Sequence, residues 1–175
     1  AQLPTAPRQV ARRQSHLGEG IPRRDKDHSH LQIAQTSIFF RDQRTRQEHS
    51  MSTPATPIKI LLVEDNPKYR QVISKALQRE ARFELVGPAL GSAERALVQL
   101  ERTNSIPPDV ILLDLYLPGI SGTTAIPSLL SLAPKAKIIV LSQSNREADV
   151  VGAIEAGAAG YLLKSSKIQQ IKAAI

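Results

Sequence analysis

Residues 58–175 predict a doubly wound α/β domain, a five-stranded parallel sheet with helices on both faces. Three observations carry this. Short aliphatic runs alternate five times with stretches whose apolar residues recur at helical spacing. The runs are near-continuously apolar, as strands covered on both faces must be, and each crossover between parallel strands is right-handed. The chain is 41% apolar and 22% charged, ordinary globular values, while 3% aromatic content with no Trp points to an aliphatic core.

The elements follow in order. "IKILLV" at 58–63 is a β-branched strand, and "KYRQVISKALQRE" at 68–80 sets Val72, Ile73, Ala76 and Leu77 on one helical face. Asn66 before Pro67 marks that helix's start, because Asn caps free amides and Pro suits the first turn. The pattern repeats as "FELVGPA" with "SAERALVQLER", and as "DVILLD" with a helix through "SLLSL". "AKIIVLS" with "EADVVGAIEAG" and "AGYLLK" with "KIQQIKAAI" complete the series. Pro127 is the awkward residue: the third helix either starts late, with Pro127 in its first turn, or kinks there.

Residues 1–57 read differently, as a disordered or vector-derived N-terminal extension with its natural boundary near Met51, the only Met. This stretch has no sustained apolar period, and its only sizeable apolar cluster is Ile38, Phe39 and Phe40. The net charge of +7 is split between the regions. Residues 1–50 hold nine Lys and Arg against five Asp and Glu, so the folded part is only mildly basic. Such a leader can touch nucleic acid or an anionic membrane, but a solvated extension is the plainer reading. His28 and His30 lack further ligands at metal-binding spacing and read as tail residues. With no Cys, thiol catalysis, disulfides and thiolate metal sites are excluded. No apolar stretch is long enough to span a bilayer and no secretory leader is evident, so a soluble, cytoplasmic protein is expected.

In a doubly wound sheet, ligands bind beyond the carboxyl ends of the strands. Glu64 and Asp65 follow the first strand, Asp114 ends the third, Ser142 ends the fourth and Lys164 ends the fifth. Taken singly, each reads as a turn, cap or surface residue. Together they put three acids, a hydroxyl and an ammonium on one edge. Crowded carboxylates are relieved by a hard divalent cation, and oxygen-only ligands favour Mg2+ over zinc. A carboxylate beside Mg2+ and a Lys ammonium is equipped to attack a phosphoryl group, giving an aspartyl phosphate. Pro118, Gly119 and Gly122 shape the loop beyond Asp114.

These residues resemble the receiver domain of two-component response regulators. The resemblance rests on "LLVEDNP", "ILLDLYLPGISG", "VLSQS" and "GAAGYLLKS", with 49 residues from Asp65 to Asp114, 28 on to Ser142 and 22 more to Lys164. It implies a flavodoxin-like fold with strand order 2-1-3-4-5. It further implies that Asp114 accepts a phosphoryl group from a histidine kinase, assisted by Lys164 and Ser142. Metal ligation by Asp65 and Asp114, by Glu64 through water and by the Tyr116 backbone carbonyl is implied in the same way. Ser142 and Tyr161 match the family's coupled switch pair, with half-buried packing as the plainer role for Tyr161.

Ser165 and Ser166, where many receivers carry Pro after the Lys, resemble the branch with a LuxR- or FixJ-type DNA-binding output domain. That resemblance implies a DNA-binding partner domain absent from this chain, a last helix cut short at Ile175, and a receiver homodimer as a further partner. The stripe Ile168, Ile171 and Ile175 is then either core packing or part of a pairing face. Two other classes compete: a Mg2+-dependent phosphohydrolase, which needs a second acid where Tyr116 stands, and an interaction module that keeps the fold without the chemistry.

Overall fold

The five aliphatic runs become five parallel strands, and one short strand is added at the sheet edge. The computed structural model describes residues 56–102 and 104–175, together with the backbone of 38–40. The strands are β1 (Ile38–Phe40), β2 (Ile58–Val63), β3 (Phe83–Leu85), β4 (Val110–Asp114), β5 (Lys137–Ser142) and β6 (Gly160–Leu163). The helices are α1 (Pro67–Gln78), α2 (Ala93–Glu101), α3 (Gly122–Leu132), α4 (Glu147–Glu155) and α5 (Ile168–Ala174).

Their order across the sheet is β1-β6-β5-β4-β2-β3. Strands β2 to β6 pair in parallel, and counted among themselves they follow the expected order 2-1-3-4-5. β1 runs antiparallel against β6, with Ile38 opposite Leu162 and Phe40 opposite Gly160. By sequence alone "IFF" falls within the N-terminal extension. Its β-branched and aromatic composition suits strand pairing, and β6 without it would be an open edge. The other expectations for residues 1–57, including His28, His30 and Met51, lie outside the described residues.

Alternation along each strand divides the core in two. Ile60 and Leu62 face one layer, where they pack with Ile73 and Leu77 of α1 and Ile171 of α5. Leu61 and Val63 face the other, with Ala93 and Ala96 of α2, Ile126 and Leu129 of α3, and Val150 and Ala153 of α4. Each fully buried Leu or Ile contributes about 1.5–3 kcal/mol relative to exposure. The Ile stripe of α5 turns inward: Ile171 is buried, and Ile168 and Ile175 pack against the same cluster half-buried.

Helix termini follow the local chemistry. The Asn66 side chain accepts from the Lys68 and Tyr69 amides, with Pro67 at the first helical position. α3 does not start late: it begins at Gly122, capped by Ser121, and carries Pro127 in its interior. Pro127 has no amide to offer the carbonyl one turn earlier. Ala125, Ile126 and Leu129 are buried around it, so tertiary packing holds the helix through that gap.

Candidate functional site

Because β2, β4, β5 and β6 run parallel, their carboxyl ends share one edge. In register, Val63 sits beside Leu113, Asp114 beside Leu141 and Ser142 beside Leu163. The residue that follows or ends each strand is therefore delivered to the same place. A cavity of about 700 Å³ opens there, lined by Asp65, Asn66, Pro67, Asp114, Tyr116, Gln143, Ser144 and Lys164.

Glu64 is fully buried and Asp114 is 3% exposed, while Asp65 lies at the surface. Carboxylate oxygens of all three come within 4.8 Å of one another. Lys164 joins them: its Nζ lies 2.7 Å from Asp114 Oδ2 and 2.8 Å from both Glu64 oxygens, with its hydrogen bond to Oε1. Glu64 Oε2 receives no hydrogen bond although it is buried. Burial pushes the Glu64 carboxyl above the usual carboxylate range, and the nearby Asp114 charge adds to this against the pull of Lys164. Burial works to lower the Lys164 pKa, but its bonds to Asp114 and Glu64 outweigh it and the ammonium is held more firmly than usual.

The loop carrying the acids is itself tied down. Arg70 Nη1 donates to the carbonyls of Glu64 at 2.6 Å and Asp65 at 3.2 Å. The Asn66 amide donates to Glu64 Oε1 at 3.0 Å, and the Glu64 amide pairs with the Leu90 carbonyl at 2.8 Å. The loop after β4 turns back on itself: the Tyr116 amide reaches Asp114 Oδ1 at 3.2 Å and the Gly122 amide reaches the Leu115 carbonyl at 2.9 Å. Gly122 has to be Gly, since a Cβ there would lie 2.2 Å from the Asp114 carbonyl oxygen. Gly119 adopts φ +75°, where a side chain would also strike Glu94.

The donor set suits a hard divalent cation. It offers carboxylate oxygens and no softer ligand, and the three acids crowd one another with a single lysine ammonium to offset them. Tyr116 lines the same cavity, two residues beyond Asp114.

The other two expected residues sit behind the wall. Ser142 is fully buried, its Oγ accepting from the Ser144 amide at 3.1 Å, and it is Gln143 and Ser144 that face the cavity. Tyr161 is 1% exposed, deep in the core instead of half-buried, and its hydroxyl donates to the Ser144 carbonyl at 2.8 Å. Burial raises its pKa.

Sequence reasoning missed Tyr69, Arg70, Ser144 and Asp149. The Tyr69 ring lies 5.2 Å from Lys164 Nζ, and burial, Glu64 and Asp114 together push its phenol up to about 12. Arg70, five residues after Asp65, had a findable signal as a cation in the first turn of the helix that follows the acids. Asp149 and Ser144 had none, because their contacts depend on how the loops approach in space.

Comparison with known proteins agrees with this geometry. The family model for the response regulator receiver domain matches residues 60–175. The nitrate/nitrite response regulator NarL of Escherichia coli K12 is 34% identical over 119 residues, covering 68% of this chain and 53% of that protein. The chain thus spans about half the length of the curated relatives it matches. Among solved structures, the receiver domain of a putative NarL from Mycobacterium tuberculosis superposes with a TM-score of 0.59 at 28% identity, covering 68% of this chain and 93% of that one. A Burkholderia pseudomallei response regulator, solved with a phosphorylated aspartic acid, calcium ion and citrate, gives 0.59 at 28% identity, covering 66% and 65%. With its parallel sheet, acidic edge and apposed lysine, this chain belongs to the response regulator receiver domain family.

Proposed function

We propose that residues 58–175 act as a phosphorylation-dependent signalling switch in which Asp114 accepts a phosphoryl group from a histidine kinase. The observation that carries this reading is a buried strand-end carboxylate held 2.7 Å from a buried ammonium, with two further acids within 4.8 Å. An Asp114 carboxylate oxygen attacks phosphorus, the bond from phosphorus to the donor's imidazole nitrogen breaks, and an acyl phosphate forms on Asp114. Lys164, already bonded to Asp114 Oδ2, shifts its donor to a phosphoryl oxygen. The Ser142 hydroxyl supplies another donor once it turns from its bond with the Ser144 amide. Glu64, Asp65, Asp114 and the Tyr116 carbonyl would hold Mg2+, which when bound neutralises charge on the phosphoryl oxygens.

The bound calcium ion and phosphorylated aspartate of the Burkholderia relative support the reading by analogy. The same reading gives a signalling domain whose only chemistry is Mg2+-dependent self-phosphorylation from a phosphodonor and autodephosphorylation. It acts in the cytoplasm through a DNA-binding output domain of the LuxR or FixJ type, with receiver pairing as a second contact. Among the described residues no helix is long and apolar enough to cross a membrane.

Incubation with Mg2+ and a small acyl phosphate tests this. A stable adduct supports the switch, continuous phosphate release would support a hydrolase, and neither would support a passive interaction module.

A further inference from the structure

A chain of hydrogen bonds joins the two loops that rim the cavity, and the phosphoacceptor chemistry does not call on it. Tyr116, in the loop after β4, is 54% exposed, yet its hydroxyl donates to Asp149 Oδ2 at 2.7 Å. Asp149 lies in the first turn of α4, 33 residues further along. Ser144, in the loop after β5, donates its hydroxyl to the same Oδ2. Tyr116 and Ser144 line the cavity from different loops, so one carboxylate oxygen fastens both.

Ser144 is the hub of the connection. Its amide donates to Ser142 Oγ at 3.1 Å, and its carbonyl accepts from the Tyr161 hydroxyl at 2.8 Å. Its Oγ also accepts from the Arg146 amide at 3.2 Å, the cap position of α4, where the Arg146 side chain makes no capping bond. An acid at the third helical position commonly reaches back to that amide itself. Here Ser144 takes the amide, and Asp149 is free to hold the two hydroxyls. Bonds from hydroxyl to carboxylate are charge-assisted and stronger than neutral ones, so the junction is firm even at a partly exposed rim.

We propose that Asp149 is a positioning residue, a latch that ties the loop after β4 to the loop after β5 and thereby fixes the Ser144 carbonyl that keeps Tyr161 inward. Its signalling consequence rests on the switch reading above: a change at Asp114 then reaches Tyr116 and Tyr161 together, and reaches the first turn of α4 with them.

The chain has three Tyr, at 69, 116 and 161, so replacing them with 3-fluorotyrosine gives three fluorine resonances, each assignable by Tyr→Phe substitution. The full chain is measured without Mg2+ or phosphodonor, so a protein that takes no phosphoryl group leaves the outcome intact. In Asp149→Ala the resonances of Tyr116 and Tyr161 are expected to move, and Tyr69 to stay at its original shift as a report on the fold. Asp149→Asn, which keeps an acceptor oxygen, is expected to restore both toward their original positions. A Tyr161 resonance unmoved in Asp149→Ala overturns the proposal, because packing alone then holds the ring. Should that variant not fold, Ser144→Ala removes the same junction from the other side and is read in the same way.

Discussion

Lys164 Nζ sits 2.7 Å from Asp114 Oδ2, joining residues 50 positions apart in a pocket where the lysine side chain is 9% exposed and the aspartate 3%. The same ammonium holds Glu64, so a single cation neutralises part of an otherwise repulsive cluster. Lys164→Ala would leave two buried carboxylates without a counter-charge. Removing one partner from a buried ion pair typically costs about 3–5 kcal/mol. Urea unfolding at neutral pH should show a loss near the lower end of that range, since Glu64, with its already raised pKa, can take up a proton. Added Mg2+ should return part of the loss in the variant.

Glu64 gives the pocket a pH signature. Its folded pKa is raised above the ordinary 4.5, mainly by burial, so the folded chain binds more protons than the unfolded chain in the interval between the two values. Stability attributable to Glu64 therefore falls as pH rises from 4.5 through the folded value, then levels off. Glu64→Gln should remove that decline. Urea midpoints measured across the acid range should fall less with rising pH in the variant than in the parent, and parallel profiles would contradict the assignment.

Gly122 fixes how closely the loop after β4 returns on its strand. A methyl group at this position would meet the Asp114 carbonyl oxygen at 2.2 Å and Leu115 Cα at 2.9 Å, backbone atoms that cannot swing aside. Gly122→Ala is expected to destabilise by about 1–3 kcal/mol, the usual range for overpacking a tight site. Thermal or urea unfolding of the two proteins reads this directly.

Glu94 holds the far side of the same loop. Its Oε1 accepts from the Ile120 amide at 2.8 Å, which keeps the Glu94 carboxyl below the usual range. In Glu94→Ala the Ile120 amide loses its protein acceptor. Its hydrogen exchange should quicken while amides in β4 keep their protection, a pattern that locates the effect in the loop.

The sequence made the parallel sheet legible because each central strand is apolar on both faces and each helix shows its own period. Residues 58–175 therefore yielded five strands in the expected order. It also placed Glu64, Asp65, Asp114 and Lys164 together, since parallel strands must deliver their carboxyl ends to one edge. β1 escaped notice because three residues carry no period and its pairing partner lies far along the chain. Of the two readings of Pro127, the late start fails, because burial of Ala125, Ile126 and Leu129 holds the helix from Gly122 through the proline. Ser142 and Tyr161 were located, but not the Ser144 hub between them, nor Asp149, because turns and helix rotation bring those groups together only in three dimensions. Single polar residues in loops leave no pattern from which such contacts can be read.

The most direct test compares intact masses of the protein and of Asp114→Asn after incubation with Mg2+ and a small acyl phosphate. The expected result is one added phosphoryl group per chain in the parent and none in the variant. No adduct in the parent, or an equal adduct in Asp114→Asn, would contradict Asp114 as the phosphoryl acceptor.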